Sequence, residues 1–269
     1  MSTRSFDFTG ANGQRLSGAL DLPDRAVVSH ALFAHCFTCT KQSLAAVRLC
    51  DALAARGIGV LRFDFTGLGE SGGDFADSSF SGSIADVVAA ADAMRGAGRA
   101  PALLVGHSLG GAAVLAAAGR IPDTRAVATI GAPFDVDHVT HLFAGGIAEL
   151  RATGEADVRI GGRPFTLRQS FVDDLATHDQ GERIRTLGKP LLVLHSPQDT
   201  IVGIDNATRI FEAAMHPKSF ISLAGADHLL TDRRDAGFAA DVIAAWSSRW
   251  LPDAGLVGPP GLEPGTREL

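Results

Sequence analysis

The chain has 269 residues, of which 46% are hydrophobic, and its formal net charge is −6. This composition is typical of a globular protein with a sizeable core, and the acidic balance argues against nucleic acid or an anionic membrane surface as its main partner. No apolar run reaches the length of a membrane helix, the N-terminus lacks a secretory pattern, and three cysteines do not form a disulfide framework. We therefore expect a cytoplasmic protein.

Short apolar strands alternate with longer alanine-rich helices along the chain. An opening hairpin is predicted to turn at Asn12-Gly13, because Asn-Gly suits a type I′ turn. The strands that follow are predicted, in chain order, at 27–35, 59–65, 101–107, 125–133, 190–196 and 219–223. The helices are predicted at 41–56, 84–97, 108–119, 204–215 and 233–250. This alternation predicts an α/β fold with a mainly parallel sheet and helices on both faces, in which ligands bind beyond the carboxyl ends of the strands.

Two segments interrupt the alternation. Residues 134–189 lie between two core strands, and they contain a predicted helix, DVDHVTHLFAGGIAEL, and a hairpin that turns at Gly161-Gly162. Because this insert leaves from the ligand-binding end of the sheet, we expect a small cap over a pocket. The domain is predicted to span 1–251, and the glycine- and proline-rich segment 252–269 is expected to be a flexible tail.

The stretch GHSLG at 106–110 matches the pattern G-x-S-x-G, and it lies between a predicted strand and a predicted helix. At so sharp a turn, glycines two residues before and after the serine remove Cβ atoms that would collide with the neighbouring chain. The following helix directs its N-terminal amides toward the place where an oxyanion would form. The pattern predicts Ser108 as a nucleophile; the alternative is a chance match in which Ser108 only caps the helix.

A serine nucleophile needs a general base, and the base needs an acid that orients it. In the chain order serine, acid, histidine, the acid and the histidine should each follow a later strand. His228, in the segment GADH, follows the last long strand, and we assign it as the general base. Asp199, in the segment HSPQD, follows the preceding long strand, and we assign it as the orienting carboxylate. Asp135, which follows the strand at 125–133, is the alternative acid.

The segments GHSLGG, HSPQD and GADH, together with the loop FDFTGLGESGG, resemble the α/β-hydrolase superfamily over roughly residues 5–251. The likeness is to cytoplasmic serine esterases with a small hairpin-containing cap. The segment AHCFTCTKQS further resembles the hydrolase half of proteins that fuse an α/β hydrolase to an OsmC-like peroxide-resistance domain, although residues 252–269 do not resemble that second domain. The resemblance implies the α/β-hydrolase fold, a serine esterase activity, and no metal or organic cofactor.

The resemblance also implies an oxyanion hole made of two backbone N–H groups. One belongs to the residue after the nucleophile, here Leu109, and the other to the loop after an early strand. That loop reads His35-Cys36-Phe37, so Phe37 N–H is the second expected donor. Cys36 stands where the family commonly has glycine, which leaves the geometry of the loop open.

The cysteines allow a different function. Cys36 and Cys39 form a C-x-x-C motif, which is typical of redox pairs and of half metal sites. No second C-x-x-C completes a zinc site, and Cys50 lies on a predicted helix, where we expect it in the core. A thiol-redox module that uses Cys36 and Cys39 therefore stays an alternative.

The leading prediction is a serine-dependent carboxylic-ester hydrolase that acts on small to medium esters through an acyl-enzyme. Beside Phe37, the residues expected to form the apolar substrate pocket are Phe134, Leu142, Phe143 and Val202. A peptidase or thioesterase with the same catalytic residues is the alternative within hydrolases, and a non-catalytic binding protein is the alternative outside them. The expected partner is a small-molecule ester, with no nucleic acid and no membrane, and a homodimer is left open.

Overall fold

A computed structural model describes residues 1–251, and the predicted tail at 252–269 lies outside the described residues. The strands in chain order are β1 (Ser2–Ser5), β2 (Phe8–Thr9), β3 (Arg15–Leu16), β4 (Gly18–Leu22), β5 (Ser29–Ala34), β6 (Ile58–Phe63), β7 (Leu103–His107), β8 (Ala126–Ile130), β9 (Glu155–Ile160), β10 (Arg163–Arg168), β11 (Leu191–His195) and β12 (Lys218–Ser222). The α-helices are α1 (Leu44–Ala55), α2 (Phe80–Gly96), α3 (Leu109–Ala117), α4 (Ile147–Thr153), α5 (Gln169–Ala176), α6 (Gln180–Arg185), α7 (Asp205–Ala213) and α8 (Arg233–Ser247). Short 3-10 helices span Phe75–Asp77, Ala118–Arg120 and Val136–Gly146.

The main sheet has eight strands in the order β1-β4-β6-β5-β7-β8-β11-β12. The strands from β6 onward in this order pair in parallel, whereas β1 with β4 and β4 with β6 pair antiparallel. The opening hairpin pairs β2 with β3, and Gly13 adopts a φ of 80° in its turn. The predicted α/β fold with a mainly parallel sheet is confirmed.

The inner parallel strands β6, β7, β8 and β11 are buried throughout. Since neighbouring side chains along a strand point to opposite faces, both faces of the sheet are covered there. On one face, Leu32 and Leu104 pack with α2 and α3. On the other face, Phe33 and Val105 pack with α1 and α8. The sheet is thus a middle layer, and the carboxyl ends of β5, β7, β8, β11 and β12 meet along one edge.

The insert between β8 and β11 differs in part from its prediction. The hairpin of β9 and β10 turns at Gly161 and Gly162, both with positive φ, as predicted. The segment predicted as one helix is instead a 3-10 run from Val136 to Gly146 that continues into α4. Phe143 leaves helical geometry with a φ of −133°, and its side chain is only 3% exposed. The glycines at 145 and 146 also disfavour a regular α-helix.

Among the described residues, no helix combines the length and apolar character needed to cross a membrane.

Candidate active site

Ser108 occupies the whole turn between β7 and α3. Its φ of 54° lies in the left-handed region, which residues other than glycine seldom adopt. Backbone hydrogen bonds hold this conformation: Ser108 N–H donates to the carbonyl oxygen of Ile130 at 2.8 Å, and Ser108 O accepts from Gly111 N–H at 2.8 Å. The turn therefore presents the Ser108 hydroxyl group beyond the end of the sheet.

The glycines on either side of Ser108 are required by close backbone approach. A Cβ atom on Gly110 would lie 2.3 Å from the carbonyl oxygen of His35, and one on Gly106 would lie 2.4 Å from the carbonyl oxygen of Gly110. Both distances are far shorter than van der Waals contact. The steric role predicted for these two glycines is present in the structure.

Ser108, His228 and Asp199 form a continuous chain of hydrogen bonds. The Ser108 Oγ and the His228 Nε2 are 3.0 Å apart, and the His228 Nδ1 and the Asp199 Oδ2 are 2.7 Å apart. The other oxygen of Asp199 accepts from Ile201 N–H and Val202 N–H, each at 2.9 Å. Because the carboxylate can only accept, the His228 Nδ1 carries a hydrogen and the Nε2 is free to take the serine proton.

The surroundings of Asp199 keep its carboxyl group ionised. Burial by itself would raise the pKa of Asp199, but hydrogen bonds from His228 and from the N–H groups of Val202 and Ile201 outweigh burial and lower the pKa. His195 is a further buried neighbour, with its Nε2 3.6 Å from the Asp199 Oδ2. The His195 ring donates to the carbonyl oxygen of Val202 at 2.7 Å, so it braces the same loop.

Two further residues, His107 and Asp135, lie outside this chain of hydrogen bonds. The His107 Nε2–H donates to the carbonyl oxygen of His228 at 2.7 Å and thereby ties the loop of His228 to the end of β7. Asp135, the alternative acid, instead forms an ion pair with Arg209 at 2.6 Å, and its side chain is 48% exposed. The geometry thus brings Asp199, and not Asp135, to His228.

Phe37 and Leu109, whose N–H groups are the expected oxyanion donors, both line a pocket that contains Ser108. Leu109 is the first residue of α3, so its N–H has no acceptor within the helix. Within residues 1–251, neither N–H has a hydrogen-bond acceptor. Both groups are therefore available to an oxygen atom of a bound substrate.

The loop that carries Phe37 is braced from several directions. Cys36 and Cys39 are joined by a disulfide, which the cysteine count did not predict, and Cys39 N–H donates to the carbonyl oxygen of Cys36 at 3.1 Å. The His35 Nδ1–H donates to that same carbonyl oxygen at 2.8 Å.

Cys50 is fully buried in the core, as predicted, and burial raises the pKa of its thiol well above the ordinary range.

A buried ion pair fixes the far end of this loop. The Lys41 ammonium group contacts the Asp64 carboxylate at 2.6 Å and the Glu70 carboxylate at 2.6 Å, and Lys41 N–H donates to Asp64 as well. The Asp64 loop is thus a brace for the Phe37 loop. Lys41 lies in the segment AHCFTCTKQS, and Asp64 and Glu70 lie in FDFTGLGESGG, but their pairing was not predicted from the sequence.

A pocket of about 270 Å³, counting the part open to solvent, contains Ser108. Its other lining residues are Phe37, Leu109, Pro133, His138, Val139, His141, Leu142, Ile201 and Val202. Of the expected pocket residues, Leu142 and Val202 lie in this wall, together with Phe37. Phe134 lies outside the wall, where the Arg209 guanidinium stacks on its ring at 4.1 Å, and Phe143 is buried against Phe171.

Burial keeps two histidines near the site neutral. It lowers the pKa of His107 from 6.5 to about 3 and that of His35 from 6.5 to about 4. In the unfolded chain both rings take up a proton near their ordinary pKa, whereas the folded protein resists protonation until the pH is far lower. The stability that these rings contribute is therefore fully present above about pH 6.5 and is lost as the pH falls toward their folded pKa values.

We expect acidification from pH 7 to pH 5 to lower the free energy of unfolding by about 2 kcal/mol for each of the two rings. Urea unfolding at both pH values measures this loss. His107→Gln is the matched control, since a glutamine N–H can still donate to the carbonyl oxygen of His228 but does not titrate. The pH-dependent loss should shrink by about 2 kcal/mol in this variant. An equal loss in both proteins would contradict the assignment of a neutral His107.

Comparison with known proteins finds a hydrolase family and an esterase domain among the relatives of this chain. Residues 31–160 match the family described as serine aminopeptidase, S33. The esterase domain of a Rhodothermus marinus protein is 46% identical with a TM-score of 0.76, and the alignment covers 93% of this chain and 99% of that chain. No curated protein sequence matches the chain.

Two more distant structures share the fold. Est1E from Butyrivibrio proteoclasticus, with ferulic acid bound, is 20% identical with a TM-score of 0.73, over 92% of this chain and 98% of that chain. Alpha/beta hydrolase domain-containing protein 10 from mouse is also 20% identical with a TM-score of 0.73, over 91% of this chain and 99% of that chain. The resemblance to OsmC fusion proteins is not addressed by these relatives and stays a prediction.

Proposed function

Since the chain belongs to the α/β-hydrolase superfamily, we propose that it is a serine-dependent carboxylic-ester hydrolase that cleaves small to medium esters through an acyl-enzyme. The observation that carries the proposal is the chain of hydrogen bonds from the Ser108 Oγ through His228 to Asp199, at 3.0 Å and 2.7 Å. It unites a nucleophile, a base and an orienting acid at one end of the sheet.

In the first half of the reaction, the Ser108 Oγ attacks the carbonyl carbon of the ester, and its proton passes to the His228 Nε2. The carbonyl oxygen becomes an oxyanion, which accepts hydrogen bonds from Phe37 N–H and Leu109 N–H. As the bond to the leaving alcohol breaks, His228 gives its proton to the alcohol oxygen. Asp199 accepts the hydrogen bond from Nδ1–H throughout and stabilises the transient imidazolium.

In the second half, a water molecule attacks the acyl carbon and His228 takes a proton from it. The bond to the Ser108 Oγ breaks, the acid leaves, and His228 returns the proton to the serine oxygen. Every proton that moves in the cycle passes between Ser108, His228, the alcohol and the water molecule.

The choice of an ester over an amide rests on the relatives. The esterase domain from Rhodothermus marinus is 46% identical over 93% of this chain, whereas the serine aminopeptidase description matches residues 31–160 only.

The Cys36–Cys39 disulfide supports one further candidate function, a thiol-redox module. Cys36 is 6% exposed and Cys39 is partly exposed, so an external thiol has limited access to the bond. The same residues flank Phe37, and the proposed esterase uses them as a brace. The two functions differ in whether the sulfur atoms are needed for the reaction.

Hydrolysis of p-nitrophenyl esters from acetyl to decanoyl, with matched thioesters and a p-nitroanilide bearing a free α-amine, tests the proposal. We expect the ester rate to be highest for short to medium acyl groups and the anilide rate to be at least about 100-fold lower. Cys36→Ser/Cys39→Ser protein serves as the control and should still hydrolyse esters. Faster cleavage of the anilide would favour a peptidase, and faster cleavage of the thioesters would favour a thioesterase. Absence of hydrolysis in both proteins, with thiol oxidation or disulfide exchange by the wild-type protein alone, would favour the redox module.

A further inference from the structure

A second, larger cleft adjoins the Ser108 pocket. It encloses about 690 Å³, counting the part open to solvent, and it shares Phe37 and Leu109 with the Ser108 pocket. Its other walls include the turn of the opening hairpin, the loop after β6, the 3-10 helix Phe75–Asp77, the first turns of α2, and Phe171 of α5. The larger cleft therefore begins at the two residues whose N–H groups face the carbonyl oxygen in the proposed reaction.

The order of the strands places this cleft on the side of the site opposite the base. Ser108 follows β7, the larger cleft lies beyond β5 and β6, and Asp199 and His228 follow β11 and β12 on the other side. The leaving alcohol must lie next to His228, because it receives its proton from that ring. The acyl group is bonded to the same carbon and points away from the base, toward the larger cleft.

The wall near Phe37 suits a flat apolar group. The ring of Phe37 lies 5.7 Å from that of Phe75 and 5.4 Å from that of Phe171, measured between ring centroids. All three residues line the cleft. Aromatic rings at these distances pack well against another ring, in offset or edge-to-face arrangements.

In the same cleft, Asp86 offers a weakly used hydrogen-bond acceptor. Asp86 is 2% exposed, and its Oδ2 accepts from both the N–H and the hydroxyl group of Thr66, at 2.9 Å and 2.8 Å. Its Oδ1 has only the long contact of 3.4 Å with the Gln14 Nε2. Burial raises the pKa of Asp86, and the hydrogen bonds from Thr66 offset only part of this effect.

A second polar group in the same wall is also unsatisfied. Within residues 1–251, the buried Ser78 Oγ has no hydrogen-bond partner, and Ser78 lines the cleft. Buried polar groups without partners are rare, because leaving them unpaired costs free energy. A cleft with an aromatic wall, a weakly bonded carboxylate oxygen and an unpaired hydroxyl group suits a ligand that is apolar along its length and polar at its end.

We propose that the larger cleft binds the acyl half of the ester and that Asp86 selects hydroxylated aromatic acyl groups by accepting a hydrogen bond from the ring hydroxyl. This inference rests on the proposed esterase function, which supplies the position of the carbonyl carbon. It assigns Asp86 as a specificity-determining residue. A purely structural Asp86 would only hold Thr66 and would not distinguish one acyl group from another.

The test compares methyl esters of phenylacetic, 3-phenylpropanoic and 4-phenylbutanoic acid, each with hydrogen, hydroxyl or methoxyl at the far end of the ring. The three chain lengths bring the ring to different depths. At the best length, we expect kcat/KM of the wild-type protein for the hydroxyl ester to be about tenfold higher than for the other two, because only the hydroxyl group donates. Equal values for all three substituents at every length would overturn the proposal, and this comparison needs no variant.

Asp86→Asn should bring the hydroxyl and methoxyl esters to within about twofold of each other, because the asparagine NH₂ group can donate to either oxygen and no longer accepts from the ring hydroxyl. The asparagine amide oxygen can still accept from Thr66 N–H, so the local fold is retained; thermal unfolding checks this. Asp92→Asn, the same change at an exposed position of α2, is the matched control and should keep the preference. An equal loss of activity on all three esters in Asp86→Asn would mean that Asp86 is structural.

Calorimetric binding of the intact esters to Ser108→Ala protein separates failure of this proposal from failure of the esterase function. We expect the hydroxyl ester to bind about tenfold more tightly than the methoxyl ester, whether or not the wild-type protein hydrolyses either. If p-nitrophenyl acetate is cleaved and neither kinetics nor binding shows the preference, only the cleft assignment falls. If the preference appears in binding while no ester is cleaved, the cleft assignment stands and the esterase function falls.

Discussion

Ser108→Ala protein is expected to lose about 10⁵-fold or more of its kcat on p-nitrophenyl acetate. The substitution removes the only atom in the chain of hydrogen bonds that can attack a carbonyl carbon. His228 then has no hydroxyl group to deprotonate, since its Nε2 faces the Ser108 Oγ at 3.0 Å. Residual turnover arises only from water and from the binding of the oxyanion by the two N–H groups. Initial rates at equal protein concentration, set by absorbance, measure the loss.

The fold of the Ser108→Ala protein should survive, so the loss of rate is attributable to the missing oxygen atom. The strained turn is held by backbone groups, namely Ser108 N–H on the carbonyl oxygen of Ile130 and Gly111 N–H on the carbonyl oxygen of Ser108. Alanine keeps both bonds. Ser248→Ala, at an exposed position of the described chain, is the control and should retain full activity. A fluorophosphonate reagent should label the wild-type protein once and the Ser108→Ala protein not at all. Full activity in Ser108→Ala would refute the serine mechanism.

The elements of the main sheet were predictable because their signal is local and strong. β5, β7 and β11 are continuous apolar runs, and burial on both faces is what a parallel sheet imposes on such runs. α2 begins four residues earlier than predicted, since Ser79 caps it by accepting from Gly82 N–H. The short helices α5 and α6 were missed because eight and six residues give too few turns for a periodic pattern.

The residues of the candidate site also differ in how well the sequence predicted them. Ser108 and its glycines carry a signal within five residues of sequence, and strand order then indicated Asp199 and His228. The pocket wall was less predictable: Phe143 lies in the same segment as Leu142, yet the kink at Phe143 buries its side chain. The hydrogen bond from His107 depends on a tertiary contact that no local pattern records. The Cys36–Cys39 disulfide joins the two cysteines of the C-x-x-C motif, which the sequence left open as a redox pair.

The sequence left two candidates for the orienting acid, Asp199 and Asp135. We expect Asp199→Asn to lower kcat/KM by about 10⁴-fold. The reason lies in the partners of Asp199. Its Oδ1 accepts from Ile201 N–H and Val202 N–H, so an asparagine at this position keeps its oxygen there and turns its NH₂ group toward His228. The His228 Nδ1 must then accept, its hydrogen moves to Nε2, and the ring can no longer take the proton of Ser108.

Asp135→Asn is the matched control, because it makes the same chemical change at the other candidate acid. Asp135 is about half exposed and paired with Arg209, and an exposed ion pair contributes little to stability. We expect its kcat/KM to stay within about twofold of the wild-type value. Steady-state kinetics on p-nitrophenyl acetate for both variants decides the matter. A large loss in Asp135→Asn with little change in Asp199→Asn would transfer the role of orienting acid to Asp135, and it would require the loop at 199–202 to rearrange before catalysis.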